Sequence, residues 1–414
     1  MDQLSTKTTA PKASKRSTML LLGPAFVAAI AYVDPGNVAA NVSAGAQFGF
    51  LLVWVILVAN VMAGLVQYLS AKLGLVTGRS LPEAVADHTR TRTRVAYWLQ
   101  AELVAMATDL AEVVGGAIAL YLLFDLPLLL GGVITGMVSL VLLAVQDRRG
   151  QRVFERVITG LLLVIAVGFL TSLFVEPPSP SDVVGGLVPR FDGPESILLA
   201  TAMLGATVMP HAVYLHSGLA RDRHGQPEAG EPRRRLLRVT RYDVALAMIV
   251  AGAVNLAMLL VAATNLQGMD NTDSIEGAYS AVQTTLGHTV ALFFAIGLLA
   301  SGLASTSVGA YAGAMIMQGL LRRTYPILLR RLVTLIPALV ILAVGFDPSR
   351  ALVLSQVVLS FGIPFALIPL VRLTSNRSLM GDDVNHRVTT ALGWTVAGVI
   401  SLLNVVLIYL TVTG

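Results

Sequence analysis

The sequence contains no cysteine and little charge: Asp, Glu, Lys and Arg make up 13% of its 414 residues, where an average soluble domain carries about 25%. Without cysteine there are no disulfides, no thiolate metal sites, no iron–sulfur clusters and no cysteine nucleophile. With so few charges, no water-compatible surface can be built on a chain of this length. Soluble enzymes, nucleic-acid binders and disordered proteins are therefore set aside, and the formal net charge of +5 does not reinstate a nucleic-acid partner. HExxH, GxSxG and P-loop patterns are also missing, which argues against a membrane enzyme and against ATP-driven pumping. What is present is a 55% hydrophobic composition, with 37 glycines and 18 prolines spread through apolar stretches. That mixture suits tightly packed helices in lipid. The expected class is an all-α polytopic membrane protein.

A spanning helix needs about 20 mostly apolar residues. By that rule spans fall near 19–42, 49–71, 95–123, 127–145, 153–175 and 195–219, then 242–264, 289–320, 327–345, 350–371 and 388–412. The run from Met19 follows a polar tail, 1–18, and superficially resembles a signal peptide with small residues at Ala28–Ala31. The many apolar segments behind it make it an uncleaved first span. The basic residues test the count, because cytoplasmic loops are enriched in Lys and Arg. Eleven spans with the N-terminus inside and the C-terminus outside put 27 of the 29 Lys and Arg on the cytoplasmic side, leaving Arg190 and Arg350 opposite. The expected location is the cell (plasma or inner) membrane. The stretch Arg221–Arg241, rich in Arg, Pro and Gly, is read as a solvated cytoplasmic linker.

Two spans carry a proline in mid-segment. In the first, Ala31-Tyr32-Val33-Asp34-Pro35-Gly36-Asn37 combines a carboxylate, a proline and a glycine; in the sixth, Ala206-Thr207-Val208-Met209-Pro210-His211 sets a proline beside a histidine. Proline removes a backbone hydrogen bond, and freed carbonyls in hydrocarbon need a cavity or a ligand. Ala31 and Ala206, Asp34 and Met209, and Pro35 and Pro210 all share one offset of 175. Five spans lie between the starts of the two segments, so the second enters the membrane from the opposite face. Interrupted helices at matching places in inverted halves point to a transporter substrate site. The expected organisation is a first five-helix repeat over 19–175, an external loop over 176–194, an inverted second repeat over 195–371 and an added helix over 388–412.

Asp34 offers a hard anionic oxygen, Asn37 a neutral amide oxygen, and Ala31 and Ala206 carbonyls released by the breaks. Met209 offers a soft sulfur that interacts weakly with Mg²⁺ or Ca²⁺. Oxygen ligands with one sulfur suit a transition ion such as Mn²⁺ or Fe²⁺, carried as substrate and not held as a cofactor. Ionisable residues inside spans are functional candidates. Asp109 and Glu112 share a helical face, and Glu102, seven residues before Asp109, shares it too. A buried carboxylate stripe can pass protons. For Glu102, proton transfer and simple ion pairing stand as equal readings. His211 and His216 lie in the sixth span on different faces; the His211 imidazole, next to the break, can titrate near neutral pH, and His216 is assigned to the cytoplasmic metal or proton exit. His88, His224, His288 and His386 fall in loops or at span ends. Asn255 and Gln356 are polar residues in apolar runs, suited to interhelical hydrogen bonds.

Asp34-Pro35-Gly36-Asn37, Met209-Pro210-His211, Ala107-Thr108-Asp109-Leu110-Ala111-Glu112 and Ala300-Ser301-Gly302-Leu303 together resemble the Nramp family of divalent-metal transporters, over essentially the whole chain. The resemblance implies a LeuT-type inverted-repeat fold and proton-coupled uptake of Mn²⁺ and Fe²⁺. It implies a metal site of Asp34, Asn37 and Met209 with the Ala31 and Ala206 carbonyls, and a proton route through Asp34, Asp109 and Glu112. It further suggests a proton or gating role for His211. One of Arg330 and Arg331 would pair with the carboxylates of the third span, although positive-inside anchoring explains both arginines equally well. Gln356 would approach the metal in one conformation, with Asn255 beside the site. Met209 sets the chain apart from magnesium-transporting relatives that lack this methionine. The expected partners are a divalent metal ion, protons and the lipid bilayer, with no obligate protein partner evident. A Na⁺-coupled amino-acid symporter of the same fold is the alternative, for which a buried Asp and Met are unusual companions.

Overall fold

The computed structural model describes residues 23–149, 151–269, 274–323 and 326–413. The tail 1–18 and the first residues of the 19–42 segment lie outside the described residues. Among the described residues there are helices and connections and no strands. Eight stretches are long and apolar enough to cross a membrane, and one of them, Pro35–Thr77, holds two helices separated by a turn at Gly49 (φ 56°). Glycine takes that positive φ without the steric cost of a side chain. The shorter apolar stretches Pro24–Val33 and Leu128–Ala144 and the 18-residue helix Ile327–Val344 complete the bundle.

Span 1 consists of helix 1a (Pro24–Ile30) and helix 1b (Pro35–Phe48), and span 6 of helix 6a (Gly193–Thr207) and helix 6b (Pro210–His224). The unbroken spans are 2 (Val53–Thr77), 3 (Thr91–Phe124), 4 (Leu128–Arg149), 5 (Gln151–Val175), 7 (Glu231–Asn265), 8 (His288–Leu321), 9 (Ile327–Val344), 10 (Pro348–Thr374) and 11 (Arg387–Thr413). Connections contain short helices at Leu81–Asp87, Pro180–Gly185 and Ile275–Leu286, which hydropathy did not reveal.

One expectation is corrected. Arg221–Arg241 is not a loop: helix 6b runs on to His224 and span 7 starts at Glu231, leaving only 225–230 as connection. Gly225 (φ 69°) ends one helix, and Pro232 opens the next at a position where a missing N–H costs nothing. The arginines stay hydrated at one end or find partners: Arg221 pairs with Glu83, and Arg233 with Asp383 at 3.2 Å.

Packing repeats with the chain. Helix 1b lies on span 7 as helix 6b lies on span 2, and span 3 lies on span 10 as span 8 lies on span 5. Spans 3 and 8 make the most extensive pairing, and spans 2 and 7 pair as well. Adding five to each span number therefore maps the contacts onto themselves, as two related five-helix units of a LeuT-type fold require. Span 11 packs outside this pattern, on span 10 and helix 6a.

Candidate functional site

The two breaks are helix starts and not kinks. Helix 1a gives way to a 3-10 turn over Ala31–Val33, and Asp34 (φ −71°, ψ 168°) caps helix 1b, its Oδ1 accepting the Asn37 N–H at 2.7 Å. Aspartate is among the best N-caps, and proline fits the first helical position. In span 6, Val208 and Met209 are non-helical and Pro210 opens helix 6b. Met209 thus holds the cap position that Asp34 holds in span 1, and its thioether makes no capping bond.

Carbonyls freed by the breaks find side-chain donors. Asn255 donates to the Tyr32 carbonyl at 2.7 Å and accepts from Asn41 at 2.9 Å. Ser301 donates to the Val33 carbonyl at 2.5 Å. The Asn37 amide donates to Asp34 Oδ1 at 2.8 Å and to the Ala206 carbonyl at 3.0 Å, joining the two breaks. Gln356 wedges span 10 between them. A Cβ on Gly36 would sit 1.7 Å from the Gln356 amide nitrogen, and one on Gly205 would sit 2.1 Å from the Gln356 carbonyl oxygen. The Gln356 amide donates to the Ser355 hydroxyl at 3.2 Å.

Ala31, Asp34, Asn37, Ala206, Met209 and Gln356 are each at most 1% exposed. Asp34 Oδ2, Asn37 Oδ1 and Gln356 Oε1 have no hydrogen-bond partner among the described residues. Buried polar atoms are nearly always satisfied, and these three are all acceptors. What such a site needs is a cation. Among the described residues no group of three His, Asp or Glu side chains is placed to hold a metal ion. A single carboxylate among neutral oxygens and one sulfur suits an ion in transit, which must bind firmly enough to enter and weakly enough to leave.

A second polar cluster joins span 3 to spans 8 and 9. Asp109 pairs with Arg331, whose guanidinium also donates to Thr306 and, at 3.1 Å, to Ser139. Glu102 pairs with Arg330 at 2.9 Å. Both arginines therefore turn inward, 7% and 0% exposed, and the anchoring reading is replaced by two ion pairs. A charge this deep needs a counter-charge and further hydrogen bonds, which spans 3, 4 and 8 provide. Span 8 makes room with glycine: a Cβ on Gly309 would lie 2.8 Å from Glu112 Oε1, one on Gly313 2.0 Å from the Arg330 guanidinium, and one on Gly302 3.0 Å from the Gly116 nitrogen. Gly115 in turn lies against Pro35, where a Cβ would come within 2.0 Å of the proline ring. The Asp34 break is thus seated on span 3 one turn from Glu112, linking the clusters.

The histidines go separate ways. His211 Nδ1 lies 3.3 Å from the Thr108 hydroxyl, and His216 Nδ1 lies 2.6 Å from Gln67 Oε1. Gln67 also donates to the Tyr32 hydroxyl, so His216 connects through span 2 to the broken helix. Both rings are buried, whereas His88, His288 and His386 are exposed and His224 is half-buried. Gln67, Ser139, Thr306 and the glycines 115, 309 and 313 lie outside the sequence motifs. Gln67 was detectable as an isolated amide in an apolar helix; the rest carry no local signal.

The model of the natural resistance-associated macrophage protein-like (Nramp) family matches residues 25–410. The chain is 71% identical over 403 residues to the divalent metal cation transporter MntH of Mycobacterium tuberculosis, covering 97% of this chain and 94% of the relative. Its structure resembles that of a manganese transporter from Eremococcus coleocola, solved with an aromatic bis-isothiourea substituted compound (TM-score 0.84, 31% identity, 96% of this chain and 88% of that one). It shares its fold with a nucleobase–cation symport transporter in a closed conformation (TM-score 0.61, 16% identity, 98% of this chain and 93% of that one). Likeness in sequence across nearly the whole length goes beyond a common fold, and the chain belongs to the Nramp family.

Proposed function

We propose that this chain is a secondary transporter that imports Mn²⁺ and Fe²⁺ into the cytoplasm, coupled to protons, by alternating access. The observation that carries the reading is the set of three buried acceptors without donors, Asp34 Oδ2, Asn37 Oδ1 and Gln356 Oε1, between two helix breaks that also present Met209 and the carbonyls of Ala31 and Ala206. Relatives named as divalent metal cation and manganese transporters support the same cargo. Asp34 binds the ion, and Met209 favours transition ions over Ca²⁺ and Mg²⁺. Protons leave through Asp34 to Glu112 and Asp109, with Arg331 and the Glu102–Arg330 pair beyond; His211 and His216 line the path. Asn255 holds the broken helix in register.

The chain sits in the cell membrane, N-terminus inside and C-terminus outside, with the repeats over 19–175 and 195–371 rocking about the site and the 388–412 helix outside them. The membrane potential drives each positive charge inward with about 2.3 kcal/mol per 100 mV.

Proteoliposomes test this directly. Mn²⁺ accumulation accompanied by internal acidification, lost in Asp34→Asn, is expected. Unimpaired uptake by Asp34→Asn removes the site, and competition by amino acids instead of Fe²⁺ removes the cargo.

A further inference from the structure

Spans 3, 8 and 9 enclose a groove of about 420 Å³ at the arginine-rich end of the bundle, within the usual range of small-ligand sites. Its walls are Trp98 and Met106 of span 3, Leu321 of span 8, and Leu329 and Val333 of span 9. Leu329 and Val333 are 56% and 55% exposed, so the groove opens sideways, where a spanning protein meets lipid. The Glu102–Arg330 pair is its charged element.

The donors here outnumber the acceptors. Arg330 is 7% exposed and its guanidinium is pressed onto Gly313, yet its Nε has no hydrogen-bond partner among the described residues. Trp98 Nε1 and Arg94 Nε, one turn apart on the same face of span 3, are also buried without one. Among the described residues Glu102 is the one acid lining the groove, and it is already paired with Arg330. Positive-inside enrichment accounts for arginines in water but not for buried nitrogens without acceptors.

We propose that this groove binds an anionic phospholipid of the adjacent leaflet. Its phosphate supplies the missing acceptors and the negative charge, and an acyl chain covers the apolar walls. A zwitterionic lipid brings the same phosphate with a cation that the arginines repel. Basic pockets between spans select anionic headgroups by this chemistry. The site lies away from the helix breaks and does not depend on which metal is carried, although it shares the Glu102–Arg330 pair with the proposed proton route.

Trp98 is its own reporter, since only Trp54 and Trp394 accompany it. With Trp54→Phe and Trp394→Phe, the full chain is reconstituted with brominated phosphatidylglycerol or brominated phosphatidylcholine at equal mole fraction. Stronger quenching by the anionic lipid is expected. Met106→Phe, which fills the groove, should remove the excess, and Arg94→Gln should lower the enrichment about fivefold. Equal quenching by the two lipids, or an excess that survives both Met106→Phe and Val333→Phe, overturns the proposal. Native mass spectrometry of the wild-type chain reads it independently: one phosphatidylglycerol retained over phosphatidylcholine is expected, and no preference overturns it.

Discussion

Asp109 and Arg331, 222 positions apart in sequence, form an ion pair whose side chains are 2% and 0% exposed. Removing one partner of such a pair leaves an uncompensated buried charge and costs about 3–5 kcal/mol. Arg331→Met alone should therefore lower the unfolding temperature in detergent sharply. Combining it with Asp109→Leu should restore most of that stability without restoring proton movement. Stability and internal pH, recorded on the same variants, separate packing from proton transfer; restored acidification in the double variant would exclude both residues from the path.

Met209 has no capping bond to make and is wholly buried, so its replacement tests sulfur ligation with little folding penalty from lost polar contacts. Met209→Ala should retain Mn²⁺ uptake in part and admit Ca²⁺ as a competitor. Uptake measured with a tenfold excess of Ca²⁺ checks this, and unchanged discrimination would dismiss the thioether as a ligand.

Gly205 lies so close to Gln356 that a Cβ would stand 2.1 Å from a backbone oxygen, whereas Gly160 has nothing within 4 Å of that position. Gly205→Ala should separate span 10 from helix 6a and abolish uptake. Gly160→Ala should transport normally and gain up to about 1 kcal/mol in stability from helix propensity. Equal behaviour of the two variants in a transport assay would refute the wedge.

Asp243 of span 7 accepts from the Gly23 and Ala25 amides at 3.1 and 3.0 Å, holding the start of helix 1a. Losing such a cap costs about 1 kcal/mol. Asp243→Ala should accelerate amide exchange over 23–30 about fivefold while leaving spans 3 and 8 unchanged, as hydrogen-exchange mass spectrometry can resolve. Uniform acceleration would mean a global loss of stability instead of a loosened helix.

Much of the architecture is legible from hydropathy because each span must satisfy lipid on its own. The break residues are legible for a related reason: Asp34-Pro35 and Met209-Pro210 are anomalous wherever they pack. Partnerships are different. Nothing local says that Gln67 will meet both Tyr32 and His216, that Thr306 will meet Arg331, or that Arg330 and Arg331 will each take a separate carboxylate. Those facts depend on which helices become neighbours. The misread stretch at 221–241 has the opposite cause. Its composition is that of a solvated loop, but charged residues are good helix formers once a neighbouring span has nucleated the helix.

Span 8 contains no Asp, Glu, Lys or Arg, yet its glycines at 302, 309 and 313 receive the backbone of span 3, the carboxylate of Glu112 and the guanidinium of Arg330. Steps of seven and four residues amount to about 10 Å and about 6 Å of helix. An uncharged rod thus acts as a ruler for charges that belong to its neighbours. A methyl group added at Gly309 or Gly313 would displace one ionisable station relative to the other, and one at Gly302 would push away the span that carries the carboxylate, in each case without altering a single titrating atom.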